Sequence, residues 1–286
     1  MAIPEIKFNP KIPNTHNLEV FNLDRLHEEK GKLDHNPAEA HRVEFYCLLY
    51  LTEGKGHHFV DFDQYPVQAG DAVLVHKNQI QAFDLQNPLK GFIFLFTDEF
   101  FEQIRTNFRI PSIHPRTHHP VIRLNSDDQS SCNNYVNEIL KEQSQSAQDA
   151  LLLRLLFSAF YIKLLRNAQQ TLNTKVSAKR IDTFYQFIHM LEDRAIQTRD
   201  ASHYASQLNI TYKSLNDICK AVSQQTAKQL IDGEVILEAK RKLATESIQT
   251  QVLSDFLGFD EVTNFVKYFK KHTGQTPLQF QKNSKS

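Results

Sequence analysis

Two short stretches carry the residue types that grip and read a nucleic acid. The first holds Tyr212, Lys213, Ser214, Asn216, Asp217 and Lys220; the second holds Thr263, Asn264, Lys267, Lys270 and Lys271. An asparagine amide pairs with adenine, serine and threonine hydroxyls serve several bases, and lysine neutralises phosphate. In both stretches these polar residues interleave with apolar ones at helical spacing. Leu215, Ile218, Cys219 and Val222 stand at i, i+3, i+4, i+7, and so do Val262, Phe265, Val266 and Phe269. Each helix thus buries one face and presents the other. For a single such stretch, an ordinary helical hairpin with solvated lysines is an equal reading.

The elements that position these residues recur. Before the second stretch, Val252, Leu253, Phe256 and Leu257 form an apolar-periodic segment that ends at Gly258. Glycine takes positive φ without a Cβ penalty, which suits a sharp stop, and Asp260 is the expected N-cap of the next helix. Before the first stretch, Tyr204-Ala205, Leu208 and Ile210 match Leu253-Ser254, Leu257 and Phe259, and Thr211 is the expected N-cap. Between the copies, Ala227–Ala244 reads as one helix with Leu230, Ile231, Ile236, Ala239 and Leu243 on its buried side. Ile181–Leu191 opens this half of the chain. Two helix-turn-helix units joined by a helix and closing on Gly274-x-Thr276-Pro277 are a specific combination.

It resembles the DNA-binding domain of the AraC/XylS family of transcription regulators. The matching residues are Leu257-Gly258-Phe259, Phe265, Phe269, Lys270-Lys271 and Gly274-x-Thr276-Pro277, and the likeness covers the last third of the chain. Three positions depart from the pattern. Cys219 replaces the usual aromatic, Val235 stands where many members have arginine, and Gln224 lies near a common glycine. The resemblance implies that Lys213, Asn216 and Asp217 form one base-reading set and Thr263, Asn264 and Lys267 the other. Asn216 is the stronger candidate for adenine. Asp217 either accepts from a cytosine amino group or pairs with a nearby lysine, the second being favoured. Lys220, Lys270 and Lys271 are expected on phosphate.

The N-terminal half has a different rhythm. After a polar, proline-bearing arm to residue 40, short β-rich runs follow at regular spacing: Phe45–Leu51, His57–Phe62, Tyr65–Val67, Ala72–Val75, Ile80–Phe83 and Gly91–Phe96. Turns are expected at Thr52–Gly56, Asp63-Gln64 and Ala69–Asp71. The order Leu51-Thr-Glu-Gly-Lys-Gly56 followed by Ala69-Gly-Asp71 resembles, more loosely, the cupin-like sensor domain that precedes this DNA-binding domain in many members of the family. A barrel lined by Phe, Tyr and His suits a small apolar or aromatic effector. Arg42 is a candidate fork for its carboxylate, with Tyr46, His57 and Gln81 as further polar contacts. An outward Arg42 paired with Glu44 or Glu39 is the competing reading. Metal-binding cupins carry His-x-His; here His57 and His58 are adjacent, so they point to opposite faces, and Gln81 replaces a later histidine. No metal and no cofactor are therefore expected, and His114, His118 and His119 read as a surface loop.

Helices are expected at Phe100–Phe108, from Ser126 or Asp127 to Leu140, and at Leu151–Leu165. The last has a wide apolar side of Leu152, Leu155, Leu156, Ala159, Phe160 and Leu164. That side either packs on its own barrel or pairs with a second copy; the resemblance implies a homodimer through the Ala150–Leu165 helix. Gln169–Ser177 reads as a linker. The expected fold is therefore α+β in two domains. Residues 1–170 form a cupin-like β-barrel with a helical dimerisation segment, and residues 178–286 form an all-α domain with two helix-turn-helix motifs.

Composition agrees without deciding. The net charge is zero, but the chain from Lys175 onward holds 16 Lys and Arg against 12 Asp and Glu, while the remainder holds 17 against 21. A basic end on an acidic remainder fits a DNA-binding half beside a non-DNA half. Cys47, Cys132 and Cys219 are far apart, which reads as reduced thiols in a cytoplasm. The first residues lack a basic-then-apolar signal, and Ala150–Leu165 is too short and too charged to span a bilayer. The function implied is a non-enzymatic regulator, expected to be an activator, with promoter DNA, a small-molecule effector and RNA polymerase as partners. The rivals are a regulator controlled by a partner protein and a cupin metalloenzyme fused to a DNA-binding module.

Overall fold

The run Phe45–Leu51, apolar at every position, needs cover on both faces of its sheet and has it. In the computed structural model, which describes residues 3–10, 16–29, 35–108, 110, 113, 119–169, 176–194 and 198–284, the chain forms two compact units, Pro4–Thr171 and Leu172–Ser286. Pro13, His114, His118 and most of the Gln169–Ser177 linker lie outside the described residues.

The first unit runs β1 (Glu5–Ile6), β2 (Leu18–Asn22), α1 (Asp24–Glu29), β3 (His41–Val43), β4 (Tyr46–Glu53), β5 (Lys55–Val60), β6 (Asp63–Gln68), β7 (Asp71–Val75), β8 (Ile80–Phe83) and β9 (Lys90–Phe96). Then come α2 (Asp98–Phe108), β10 (Val121–Arg123), α3 (Ser126–Gln143) and α4 (Ala150–Gln169). The strands make two five-stranded sheets, ordered β1-β3-β8-β5-β6 and β10-β7-β4-β9-β2. Among the described residues, only β1 and β3 pair in parallel. The expected barrel is thus an open pair of sheets rather than a closed one.

Strand β4 shows how the core divides. Cys47, Leu49 and Leu51 point between the sheets, among Val60, Val73, Val75, Phe83 and Ile93. Leu48 and Tyr50 point the other way, onto Phe94, Phe96, Leu18 and Val20 beneath the helices. From α4, Leu153, Phe157, Phe160, Tyr161 and Leu164 complete that second layer, with Phe94 stacked on Phe160 at 4.8 Å. The turn between β4 and β5 is tighter than expected. Gly54 has φ 89°, and a Cβ there would collide with the Pro88 carbonyl oxygen. The next turn falls at Asp61-Phe62, not Asp63-Gln64, and Asp61 has φ 55°. Its carboxylate accepts from Gln79 Nε2 at 2.7 Å and from the Ile80 backbone N–H at 3.2 Å. That long-range pair fixes the turn two residues earlier. The N-cap of α3 is Asn125, one residue before the expected caps, and it accepts from the Asp128 N–H.

The second unit is all helix: α5 (Ala178–Arg194), α6 (Ala201–Gln207), α7 (Tyr212–Ser223), α8 (Ala227–Thr245), α9 (Thr250–Phe256), α10 (Val262–Thr273) and α11 (Pro277–Asn283). Leu230, Ile231, Ile236, Ala239 and Leu243 of α8 are buried. Among the described residues, no helix is long and apolar enough to cross a membrane.

Candidate nucleic-acid interface

The internal repeat is visible in the backbone hydrogen bonds. In the turn from α6 to α7, the Ile210 N–H donates to the Ala205 carbonyl at 3.0 Å; in the turn from α9 to α10, the Phe259 N–H donates to the Ser254 carbonyl at 3.0 Å. Each turn passes through a left-handed residue, Asn209 at φ 54° and Gly258 at φ 68°. Asparagine tolerates that region better than most residues with a Cβ. The helices also end alike. Gln224 at φ 60° closes α7 and Gly274 at φ 79° closes α10. Each is followed by a capping box, Thr226 with Gln229 and Thr276 with Gln279. The Thr-x-x-Gln spacing was the available sequence signal for the first of these, and the sequence reading missed it.

Helix α7 starts as expected, with Thr211 accepting from the Ser214 N–H at 3.1 Å. Leu215, Ile218, Cys219 and Val222 are buried, and Tyr212, Lys213, Ser214, Asp217 and Lys220 are exposed. Asn216 departs from its expected role. It is half-buried, and its Oδ1 accepts from the Ala227 N–H at 3.2 Å, so it ties α7 to the start of α8 instead of standing free for adenine. It occupies the same repeat position as half-buried Val266. Asp217 forms no ion pair among the described residues, so the favoured lysine pairing is not observed.

Helix α10 begins after Glu261, not Asp260, and the Glu261 side chain accepts from no backbone N–H of the first turn. Glu261 instead accepts from the Thr263 hydroxyl at 3.1 Å. Phe265 and Phe269 are buried, while Thr263, Asn264, Lys267, Lys270 and Lys271 are exposed. Lys270, Lys271 and His272 lie in the last turn, where the helix dipole favours positive charge. Ahead of it, Leu253 and Leu257 are buried, but Val252 and Phe256 are exposed, contrary to the apolar-periodic expectation. A helix of two turns buries one face only, and Phe256 lies outside it with the Lys242 ammonium 4.3 Å from its ring centre.

In the first unit, a second polar cluster lies between the sheets. His58 packs its ring edge-on to Phe83 at 5.1 Å, and His41 stacks on the same ring at 6.1 Å. Gln81 is 1% exposed and neighbours both His58 and Cys47. Burial lowers His41 and His58 to about 4 and pushes the Cys47 thiol up to about 12. Cys132 and Cys219 are buried and pushed up to about 12 as well, so all three thiols are free and unreactive. The Gln81 amide offsets part of the burial effect on His58, yet neither ring nitrogen of His58 makes a well-formed hydrogen bond among the described residues.

Of the four expected effector contacts, only Gln81 faces this space. His57 is exposed on the outer face of β5, while His58 points inward. Arg42 is itself buried, on the strand face opposite inward His41, with its Nε 3.8 Å from Glu5 rather than from Glu44 or Glu39. Tyr46 stacks on Phe96 at 5.2 Å in the layer beneath the helices, and Cys47 is the inward residue there. Among the described residues, no three His, Cys, Asp or Glu side chains form a group suited to a metal ion. His119 packs edge-on to Tyr65 at 5.2 Å.

Comparison with known proteins bears on both units. Residues 23–160 match the AraC-like ligand binding domain, and residues 204–283 match a helix-turn-helix domain. The raffinose operon transcriptional regulatory protein RafR of Pediococcus pentosaceus is 22% identical over 147 residues, which are 51% of this chain and 52% of that protein. The match thus spans about half the length of this curated relative. Among solved structures, ToxT of Vibrio cholerae is similar over 92% of this chain and 97% of its own, at 12% identity and a TM-score of 0.45. The C-terminal domain of the response regulator yesN of Fusobacterium nucleatum is similar over 35% of this chain and 98% of its own, at 20% identity and a TM-score of 0.33. With a ligand-binding domain of that type in its first unit and the doubled helix-turn-helix in its second, the chain belongs to the AraC/XylS family of transcription regulators.

Proposed function

We propose that this protein binds double-stranded DNA sequence-specifically through α7 and α10 and regulates transcription in response to a small molecule held by residues 1–170. The observation that carries the reading is the pair of recognition helices. Both follow the same turn hydrogen bond, and both present exposed lysines on the face left uncovered. The base-reading set is Tyr212, Lys213, Ser214 and Asp217 with Thr263, Asn264 and Lys267, and the phosphate set is Lys220, Lys270 and Lys271. Asn216 serves as a helix tie. Selection from a random-site library, followed by a salt titration on the selected site, tests this. Three lysines on phosphate give a slope of about −3 in log K against log salt for each copy. A library that yields no common sequence, or a flat salt response, overturns it.

For the effector, the inward set His41, Cys47, His58 and Gln81 replaces Arg42, Tyr46 and His57. Neutral imidazoles, an amide and the Phe83 ring suit an uncharged or aromatic ligand better than a carboxylate. The near-complete burial of Leu49, Leu51, Val73, Val75 and Ile93 favours a second reading, in which a partner protein controls a solidly packed first unit. A panel of sugars, aromatic compounds and carboxylates, read by thermal shift and by DNA affinity, separates the two. A compound that raises Tm and changes affinity supports the sensor; none across the panel supports the partner. Two copies joining through α4 would place four recognition helices on one promoter.

A further inference from the structure

A protein that reads DNA with two helices must hold them at a fixed spacing, because the duplex repeats about every 10–10.5 base pairs. Helix α8 joins the two helix-turn-helix units, but a single helix fixes neither the tilt nor the rotation of the unit beyond its end. A closed ring of contacts supplies that constraint. Arg199, just before α6, lies 3.5 Å over the Phe259 ring in the second unit's turn and donates to the Gly258 carbonyl at 3.2 Å. Phe259 packs edge-on to Tyr268 of α10 at 5.2 Å. The Tyr268 hydroxyl donates to Asp232 of α8 at 2.8 Å, and Asp232 pairs with Lys228 at 2.6 Å. The Lys228 ammonium closes the ring on the Arg199 carbonyl at 3.5 Å. The three elements held together, all within Leu172–Ser286, are the lead-in to the first helix-turn-helix, the connecting helix and the second recognition helix.

None of these residues stands on an outward base-reading face, and every link is charge-assisted or made against an aromatic ring. We infer that Arg199, Asp232 and Tyr268 are positioning residues that set the separation between the two half-sites this protein accepts. The inference rests on the DNA-binding reading above. It goes further by assigning spacing selectivity to residues that touch no DNA.

The test uses the full chain and its selected site, in three forms: native spacing, one base pair inserted between the half-sites, and one base pair removed. One base pair rotates one half-site by about 35° relative to the other. Wild type is expected to lose about tenfold or more in affinity on either altered site. Tyr268→Phe keeps the ring and removes the bond to Asp232; Arg199→Gln removes the stacking cation. Each should bring the three sites to within about threefold of one another, with affinity for an isolated half-site unchanged. Equal loss on all three sites means that the ring merely stabilises the fold, and overturns the inference. An unchanged spacing preference in both variants overturns it too. Should Arg199→Gln fail to fold, Tyr268→Phe decides alone. If wild type selects no site at all, the DNA-binding reading fails first and this inference falls with it.

Discussion

His41 and His58 enter the space between the sheets as neutral rings, and this gives the first unit an acid sensitivity. Burial holds both near 4, against 6.5 in an exposed ring. In the pH window from 6.5 down to 4 the unfolded chain binds protons that the folded chain refuses, so stability falls as pH falls; above 6.5 the cost is absent. Each histidine costs about 3 kcal/mol by the bottom of that window. Thermal melts from pH 7.5 to 4 should therefore show a steep loss of Tm that His58→Gln makes shallower. An unchanged slope would mean that carboxylates carry the acid response instead. The same two residues show what the sequence concealed. Arg42, Tyr46 and His57 each sit one residue from the inward side chain, His41, Cys47 and His58. A strand alternates with period two, so a register read one residue out sends every polar candidate to the wrong face. In runs such as Phe45–Leu51, apolar on both faces, composition offers no phase to read.

At the scale of the element, the two helix-turn-helix units differ most where their recognition helices stop. Gly274 takes φ 79° freely, whereas Gln224 takes φ 60° with a Cβ. Left-handed backbone costs such a residue about 1–2 kcal/mol, partly offset by the greater chain entropy that glycine loses on folding. Gln224→Gly should stabilise the first helix-turn-helix by about 1 kcal/mol, and Gly274→Ala should weaken the second helix-turn-helix by a similar amount. A Cβ at Gly274 would meet no atom within 4 Å, so the penalty there is backbone strain alone. Hydrogen exchange of the α7 and α10 amides measures both changes, with protection rising in one helix and falling in the other. These elements were legible because their signals are local: a cap, a left-handed turn residue, an i, i+3, i+4, i+7 stripe. Asp61 and Asn216 were not, because their roles depend on Gln79, Ile80 and Ala227, which only the fold brings near.

For the whole molecule, helix α4 holds more apolar surface than one unit can cover. Leu153, Phe157, Phe160, Tyr161 and Leu164 are buried beneath it, while Leu151, Leu152 and Leu155 are 57%, 41% and 46% exposed, beside half-buried Ala159 and Ile162. Leu152, Leu155 and Ala159 follow helical spacing, so the outer residues form a stripe, not a scatter. The wide apolar side read from the sequence thus divides in two, with Phe160 and Leu164 packed inward and Leu152 and Leu155 left outside. If two copies join through α4 as proposed, the stripe would meet its own copy without any new chemistry, an isologous pair being the commonest closed assembly. Leu152 and Leu155 are already more than half covered, so burying the remainder contributes about 1 kcal/mol for each side chain, over the four side chains of a pair. Leu152→Lys with Leu155→Lys should then raise the dimer Kd by on the order of a hundredfold or more. Sedimentation over a concentration series reads that shift directly. The same variant should bind one copy of its site with wild-type affinity and lose only the gain from two copies in tandem. If wild type sediments as a monomer at every concentration, the stripe does not join two copies and each chain meets its promoter alone.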